Sequence, residues 1–208
     1  KHSQQIFDTT LDYLAFERLL AEAQERVSMR ILAYCIMPNH WHLVLHPHHD
    51  GDLAAFVGWI TQTHTQRWHT AHGTVGLGHL YQARYKSFPI QEDAHFLTLC
   101  RYVERNPLRA RLVERAQDWQ WSSAWLRIHG RNDEQPKLSE WPIPPSRDYL
   151  DWLNAHQTNA EIDEIRGSVI RGRPFGEDDW VRRAAGRLGI EQSLRARGRP
   201  RIEARKGA

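Results

Sequence analysis

The stretch Met37-Pro38-Asn39-His40-Trp41-His42-Leu43-Val44-Leu45 joins a turn to a run of residues typical of a β-strand. Successive side chains of a strand point to opposite faces of the sheet, so His40 and His42 should project from one face and Trp41 and Leu43 from the other. Two neutral imidazoles that point the same way form the outline of a metal site. Because the chain contains 13 histidines, two unrelated histidines are the alternative interpretation.

A second group of candidate side chains lies in residues 92–106 (EDAHFLTLCRYVERN), which we predict to be helical. Acidic residues stand at the start, and Pro107 disfavours the α conformation of Asn106, so the helix should end there. Tyr102 and Asn106 are four residues apart and would share one face of the helix. If this helix packs across the histidine strand, a phenol, an amide oxygen and two imidazoles converge. Otherwise Tyr102 is an ordinary residue of an amphipathic core.

The elements around these two motifs predict the fold class. Thr9 and Asp12 indicate the start of a helix, whose core-facing positions should be Leu11, Leu14, Ala15, Leu19 and Ala23. The predicted order is helix (about 10–27), strand (30–36), strand (from 40), helix (about 52–72), strand (86–90) and helix (92–106). This order is that of an α+β, ferredoxin-like sandwich with a central antiparallel sheet whose first strand is missing.

The basic residues are concentrated near the C-terminus. Residues 166–208 contain 12 Lys+Arg against 5 Asp+Glu, which leaves 16 against 20 in residues 1–165. A polyanion is the natural partner of such a tail, and a solvated tail without a ligand is the alternative. Arg171-Gly172-Arg173-Pro174 recurs as Arg197-Gly198-Arg199-Pro200, followed by Arg201. In an extended conformation this repeat resembles AT-hook peptides, which enter the minor groove of DNA.

Composition limits the cellular setting. Hydrophobic residues make up 40% of the chain and include nine tryptophans, enough for a sizeable core. No apolar run approaches the length of a membrane span, and we expect a cytoplasmic protein. Cys35 and Cys100 are the two cysteines, and their apolar surroundings predict buried reduced thiols rather than a disulfide.

Three blocks of sequence carry a resemblance to a known family. They are Met37–His42 (MPNHWH), Leu80–Phe88 (LYQARYKSF) and Arg101–Ala110 (RYVERNPLRA). Together they resemble the single-tyrosine HUH transposases, specifically the REP-associated tyrosine transposases, over most of residues 6–130. The resemblance implies the HUH endonuclease fold, in which a further strand usually lies upstream.

The resemblance also implies a chemistry. Tyr102 would be the nucleophile, and His40, His42 and Asn106 would bind a divalent metal, Mg²⁺ or Mn²⁺. The product would be a 5′-phosphotyrosine enzyme and a free 3′-OH on single-stranded hairpin DNA. Imidazole and amide ligands suit Mn²⁺ or Zn²⁺ at least as well as Mg²⁺, so the ligands do not settle the metal. Tyr81 and Tyr85 are the competing tyrosines, and His46 should lie at the margin of the site.

Several basic residues could hold DNA phosphates, with a solvated surface charge as the alternative for each. In the first 130 residues they are Arg67, Arg84, Lys86, Arg101, Arg105 and Arg109, and in the tail Arg171, Arg173, Arg197, Arg199 and Arg201.

We therefore expect a catalytic domain at 1–130, a linker and accessory helix at 131–165, and a basic DNA-binding tail at 166–208. We expect a monomer, with a tyrosine-exchanging dimer as the alternative. The competing functions are a DNA strand transferase, a non-catalytic DNA-binding module with a vestigial metal site, and a metal-dependent hydrolase in which Tyr102 orients water.

Overall fold

The computed structural model describes residues 5–145 and 147–195. In this part of the chain, eight α-helices and two 3₁₀-helices surround one antiparallel sheet of two strands. The strands are β1 (Met29–Met37) and β2 (His40–Pro47). The helices are α1 (Thr10–Arg26), α2 (Asp52–Ala71), α3 (Ala94–Glu104), α4 (Asn106–Arg109), α5 (Ser123–His129), α6 (Tyr149–Asn154), α7 (Asn159–Arg171) and α8 (Asp178–Leu188), and the 3₁₀-helices are Ala116–Asp118 and Glu191–Leu194. The α+β class is confirmed.

The hairpin of β1 and β2 forms the centre of the fold. Met37 pairs with His40 and Cys35 with His42, so the two residues Pro38 and Asn39 make the connection. β1 is almost entirely buried, and its other edge is covered by later segments: Ile36 N donates to Trp121 O (2.9 Å). β2 is only half-buried, which leaves its histidines accessible from one side.

Helices cover both faces of the hairpin. α1 and α2 pack on one face, where the ring of Trp41 lies 5.8 Å from that of Phe16 between centroids. α3 packs on the other face, where Val44 and Tyr102 belong to the same apolar cluster. The predicted alternation along β2 is therefore confirmed, because Trp41 and Leu43 lie in the first cluster while His42 faces Tyr102.

The first helix begins as predicted but buries a different stripe. Thr9 and Asp12 form a capping box, in which each side chain binds the other's backbone N–H. Leu11, however, is 74% exposed, and Ala15 is exposed as well, so their predicted core positions are wrong. The buried stripe is set by the aromatic residues Tyr13 and Phe16, which a count of aliphatic residues passes over. Aromatic side chains bury more area and decide which face turns inward.

The predicted strand at 86–90 is wrong. Ile90 alone forms an isolated bridge, to Phe175, through hydrogen bonds of 2.9 Å from Phe175 N to Pro89 O and from Gln91 N to Phe175 O. Pro89 has no N–H to contribute to a ladder. Within the described residues β2 therefore has no strand on its outer edge, and a cavity of about 170 Å³ lies between residues 41–45 and 85–90.

The described C-terminal part contacts the first 130 residues. Trp141 Nε1 donates to Leu32 O (2.7 Å), which fixes the segment predicted as a linker against β1. α7 crosses residue 165, the expected boundary of the tail. Arg171 is the last residue of α7 and Gly172 ends the helix in the left-handed conformation (φ 66°), so these two residues are not in the extended conformation in which the repeat resembles an AT-hook. The second copy, with Arg197, Arg199 and Arg201, lies outside the described residues.

Two composition-based expectations can be compared with the structure. Cys35 and Cys100 are both free and buried, as predicted. No helix in residues 5–145 or 147–195 is long and apolar enough to cross a membrane.

Candidate active site

His40 and His42 lie close together at the start of β2, next to the turn. The ring centroids of His40 and His42 are 4.8 Å apart. Desolvation by the surrounding protein lowers the pKa of His42 to about 3, with smaller contributions from His40 and Arg109. Desolvation and Arg109 also lower the pKa of the more exposed His40. Both imidazoles are therefore neutral near pH 7 and offer lone pairs to a metal.

Asn39 orients the first histidine, a role that sequence reasoning missed. Its Oδ1 lies 2.6 Å from Nδ1 of His40. A protonated Nδ1 donates to this oxygen, which leaves Nε2 as the free lone pair; metal-binding histidines commonly have such a hydrogen-bond partner. The Asn-His order in the turn is a signal that could have indicated this contact.

α3 places Tyr102 against the histidine pair. Asp93 caps the helix by accepting from His95 N (2.8 Å), and the helix then packs on both strands. The ring centroids of Tyr102 and His42 are 6.1 Å apart, and Tyr102 is 8% exposed. The expected convergence of the helix on the histidine strand is confirmed.

The helix does not run through to Asn106. α3 ends at Glu104, and a separate one-turn helix, α4, begins at Asn106 with Pro107 in its first turn. Proline is tolerated there because the N–H it lacks would have no helical partner. The predicted end at Asn106 is therefore two residues late, and Tyr102 and Asn106 belong to two successive helices.

Arg109 links these two residues. Its Cζ lies 4.1 Å from the centroid of the Tyr102 ring, and its Nη2 donates to Asn106 Oδ1. Asn106 is 7% exposed, and neither its Nδ2 nor Arg109 Nη1 has a hydrogen-bond partner within the described structure. The residue expected to contact phosphate thus lies inside the site rather than at its rim.

The donor set is compatible with a divalent metal. Two neutral imidazoles and an amide oxygen are ligands that Mn²⁺ and Zn²⁺ accept readily. In residues 5–145 and 147–195 no group of three His, Cys, Asp or Glu side chains lies close enough to bind a metal. Asn106 Oδ1 is engaged by Arg109 in this arrangement.

Glu104 anchors the junction between α3 and α4, and sequence reasoning missed it. Its carboxylate is fully buried and accepts hydrogen bonds from Arg127, Ser123 and Tyr149. Burial raises the pKa of Glu104, while Arg127 and Ser123 oppose that change. Because the three partners come from α5 and α6, no local pattern could have indicated this network.

Of the two competing tyrosines, Tyr81 lies away from the histidine pair and Tyr85 borders the same cavity as Tyr102. Tyr81 Oη accepts from Trp41 Nε1 (3.0 Å) and lies 2.5 Å from His64 Nδ1, on the opposite face of β2 from His42. Burial raises the pKa of Tyr81 well above its usual value. Tyr85 is 42% exposed and borders the cavity beside β2. Of the three tyrosines, Tyr102 has its ring against that of His42.

Most of the other basic candidates on the first 130 residues are occupied by protein groups. Arg101 donates to Ala155 O (2.5 Å) and stacks on Trp152, and Arg105 donates to Asn154 O (3.3 Å). Arg67 donates two hydrogen bonds to Glu22 (2.9 and 2.7 Å). Arg84 and Lys86, in contrast, are exposed.

The remaining candidates that the structure describes make other contacts. His46 is at the far end of β2, 2.9 Å from Glu92. Arg171 is the last residue of α7, and Arg173 is 3.4 Å from Asp178. The structure therefore brings together His40, His42, Tyr102, Asn106 and Arg109, and Tyr85 and Lys86 border the cavity that His42 and Tyr102 also line.

Comparison with known proteins identifies the family. Residues 1–106 match the family described as "Transposase IS200 like". Neither curated proteins nor solved structures gave a match. Since the matched region covers just over half of the 208 residues and includes both histidines, Tyr102 and Asn106, the chain belongs to the IS200-like transposase family.

Proposed function

We propose that this transposase is a metal-dependent endonuclease and strand transferase that acts on single-stranded hairpin DNA of the REP type. The observation that supports it best is the 6.1 Å separation of the His42 and Tyr102 rings, with Asn106 linked to Tyr102 through Arg109. The blocks at Leu80–Phe88 and Arg101–Ala110 favour the REP-associated branch of the single-tyrosine HUH enzymes.

Tyr102 is the proposed nucleophile. Its Oη attacks the scissile phosphorus, the bond from phosphorus to the 3′-oxygen breaks, and the phenol proton is lost while the leaving 3′-oxygen takes up a proton. The enzyme then carries a 5′-phosphotyrosine, and the free 3′-OH is released. This ester conserves the phosphodiester energy, so the 3′-OH of another strand can attack it and rejoin DNA without ATP.

His40, His42 and Asn106 are the proposed ligands of Mg²⁺ or Mn²⁺. A bound divalent cation would polarise the scissile phosphate and stabilise the leaving oxygen. The protein's own part is to hold two neutral imidazoles 4.8 Å apart on β2, with the first oriented by Asn39. It also holds the Tyr102 ring in a largely buried position between α3 and β2.

A ferredoxin-like HUH arrangement with a missing first strand is part of the proposal. The outer edge of β2 faces a cavity lined by Leu53 and Val57 of α2 on one face and Leu99 and Val103 of α3 on the other. A strand in this cavity could direct alternate side chains toward α2 and toward α3, because successive side chains of a strand point to opposite faces.

DNA is the partner that membership of a transposase family implies. We assign phosphate contacts to Arg109 and to the exposed Arg84 and Lys86, and we retain a catalytic region in 1–130 and a basic tail that includes 166–208. We propose that the protein acts as a monomer.

One observation favours a second candidate, a DNA-binding module with a vestigial metal site. Arg109 already occupies the oxygen of Asn106 that a metal would need. The two candidates differ in whether a covalent bond forms.

Covalent capture tests the proposal. The protein is incubated with MnCl₂ and a hairpin oligonucleotide that carries a label on the 3′ side of the cleavage position, and is then denatured. We expect a labelled adduct that survives denaturation and disappears with proteolysis. Hairpin binding without an adduct supports the vestigial module, and DNA cleavage without an adduct supports hydrolysis by water.

A further inference from the structure

Arg109 is a half-buried cation without an acidic partner in the described part of the chain. Besides Tyr102 and Cys35, the groups that act on it electrostatically are the cations Arg105 and Arg166. Its Nη1 is buried without a hydrogen-bond partner, although Nη2 donates to Asn106 Oδ1. Burying an unpaired charge costs free energy, so a function that needs this cation explains its position better than stability does.

The guanidinium of Arg109 lies beside the three proposed metal ligands. It binds the oxygen of Asn106, and its charge acts on both His40 and His42. A divalent cation on these three residues needs the same oxygen. Two cations that share one ligand atom repel each other strongly in a partly desolvated site.

Asn106 presents a single acceptor atom, Oδ1, which accepts from Arg109, while its Nδ2 is a buried donor without a partner among the described residues. An amide oxygen has two lone pairs, but a metal and a guanidinium that share it repel each other through their charges. Metal binding to Oδ1 therefore opposes the contact between Asn106 and Arg109.

We propose that Arg109 and the divalent cation compete for Asn106 Oδ1, so that metal binding releases the guanidinium toward the scissile phosphate. The inference rests on the metal site proposed above. Once released, Arg109 has both terminal nitrogens available, and a guanidinium fork matches two phosphate oxygens. A phosphate that attracts Arg109 also frees Asn106, so DNA and metal should each raise the affinity for the other.

Isothermal titration calorimetry, in which MnCl₂ is added to the full-length protein without DNA, measures the affinity for Mn²⁺ and thus the competition. We expect Arg109→Met to bind Mn²⁺ about 10-fold more tightly than wild type or better, because the competing charge is gone. Adduct formation by the same variant should fall, because the scissile phosphate loses a guanidinium that can bind two of its oxygens. The matched control is Arg115→Met, which removes one exposed positive charge and should keep the wild-type affinity for Mn²⁺.

The outcomes separate this inference from the proposed function. If neither wild type nor Arg109→Met binds Mn²⁺, both fail. If wild type binds and Arg109→Met binds no more tightly, only the competition is overturned. Binding by Arg109→Met alone supports the competition in its strongest form.

A measurement on the wild-type protein tests the proposal even if the variant does not fold. Crystals with and without MnCl₂ should differ at Arg109: anomalous density should lie within ligand distance of Asn106 Oδ1, with the guanidinium no longer bonded to it. A metal on Oδ1 with Arg109 still in place contradicts the proposal. Circular dichroism and thermal unfolding of Arg109→Met and Arg109→Lys establish whether each variant is folded.

Discussion

The imidazole of His42 on β2 and the phenol of Tyr102 on α3 lie 6.1 Å apart between ring centroids, in a tilted edge-to-face arrangement (77°). Sixty residues of chain separate them, so only the packing of α3 on the hairpin brings them together. The proposed chemistry depends on this contact between a candidate ligand and the candidate nucleophile.

Tyr102→Phe should abolish the covalent adduct while hairpin binding stays close to wild type. The change removes the nucleophilic oxygen but keeps the ring that packs in the apolar cluster with Val44. Gel analysis of denatured reactions and a separate binding titration measure the two effects. Tyr85→Phe is the matched control, since Tyr85 borders the same cavity and is exposed. An adduct that persists in Tyr102→Phe and is absent in Tyr85→Phe moves the assignment to Tyr85.

His40→Ala, His42→Ala and Asn106→Ala should each lose cleavage, because each removes a proposed metal ligand. EDTA treatment of the wild type should have the same effect, and added MnCl₂ should restore only the wild type. Elemental analysis must accompany the assay. Full cleavage by protein shown to be free of metal refutes the metal requirement and leaves Tyr102 to be activated by the protein alone.

The site could be predicted in part because its strongest signals are local. The alternation along β2 depends on a few neighbouring residues. The single helical face expected for Tyr102 and Asn106 is wrong, because α3 ends at Glu104 and Asn106 begins α4. The role of Arg109 could not be predicted, since it depends on the break between α3 and α4. Glu104 finds its partners in later helices, which no local pattern encodes.

The fold could be predicted less completely. Helices α1, α2 and α3 and the hairpin follow from caps, turns and apolar spacing, and they are present. The strand at 86–90 failed because Pro89 blocks a regular ladder and because its backbone partner, Phe175, lies far along the chain. Long-range pairing of this kind leaves no periodicity in the segment itself.

Glu104→Ala should lower the free energy of unfolding by about 3 kcal/mol, because it leaves Arg127 without its partner in a buried network. Adduct formation should fall as well, since Glu104 fixes the junction between the proposed nucleophile and Asn106. Glu134→Ala is the control: its pair with Arg18 is exposed on both sides and should change stability by less than about 1 kcal/mol. Chemical denaturation of both variants measures the difference. Equal losses of stability contradict the role assigned to Glu104.

His64 should make stability depend on pH below neutrality. Desolvation lowers the pKa of this buried residue from 6.5 to about 4. The unfolded chain therefore binds a proton that the folded protein does not, and stability falls as pH decreases from 6.5 toward 4. The slope from this residue approaches roughly 1.4 kcal/mol per pH unit within that window. Unfolding of wild type and His64→Gln at pH 7 and pH 5 measures it. If His64→Gln loses as much stability between pH 7 and pH 5 as wild type does, His64 is not the cause of the pH dependence.

The basic tail gives the last prediction, and the structure determines where to cut the chain. Truncation before residue 166 would divide α7, in which Ile165 is fully buried, so a loss of function could reflect a damaged fold. Removal of residues 196–208 instead eliminates five Lys+Arg and one Asp+Glu and leaves α7 and α8 intact. We expect weaker hairpin binding with a flatter salt dependence, by about 0.7 in the slope for each phosphate of single-stranded DNA that the shortened protein no longer neutralises.

Adduct formation by the truncated protein should survive at saturating hairpin, because the proposed mechanism assigns the reaction to the histidines, Tyr102 and Asn106 and no step to the removed segment. Replacing Arg197, Arg199 and Arg201 by glutamine in the full-length chain tests whether charge alone accounts for the effect. If affinity and salt slope remain at the wild-type values after truncation, the tail does not bind DNA. If no adduct forms even at saturation while the protein stays folded, residues 196–208 take part in the reaction itself.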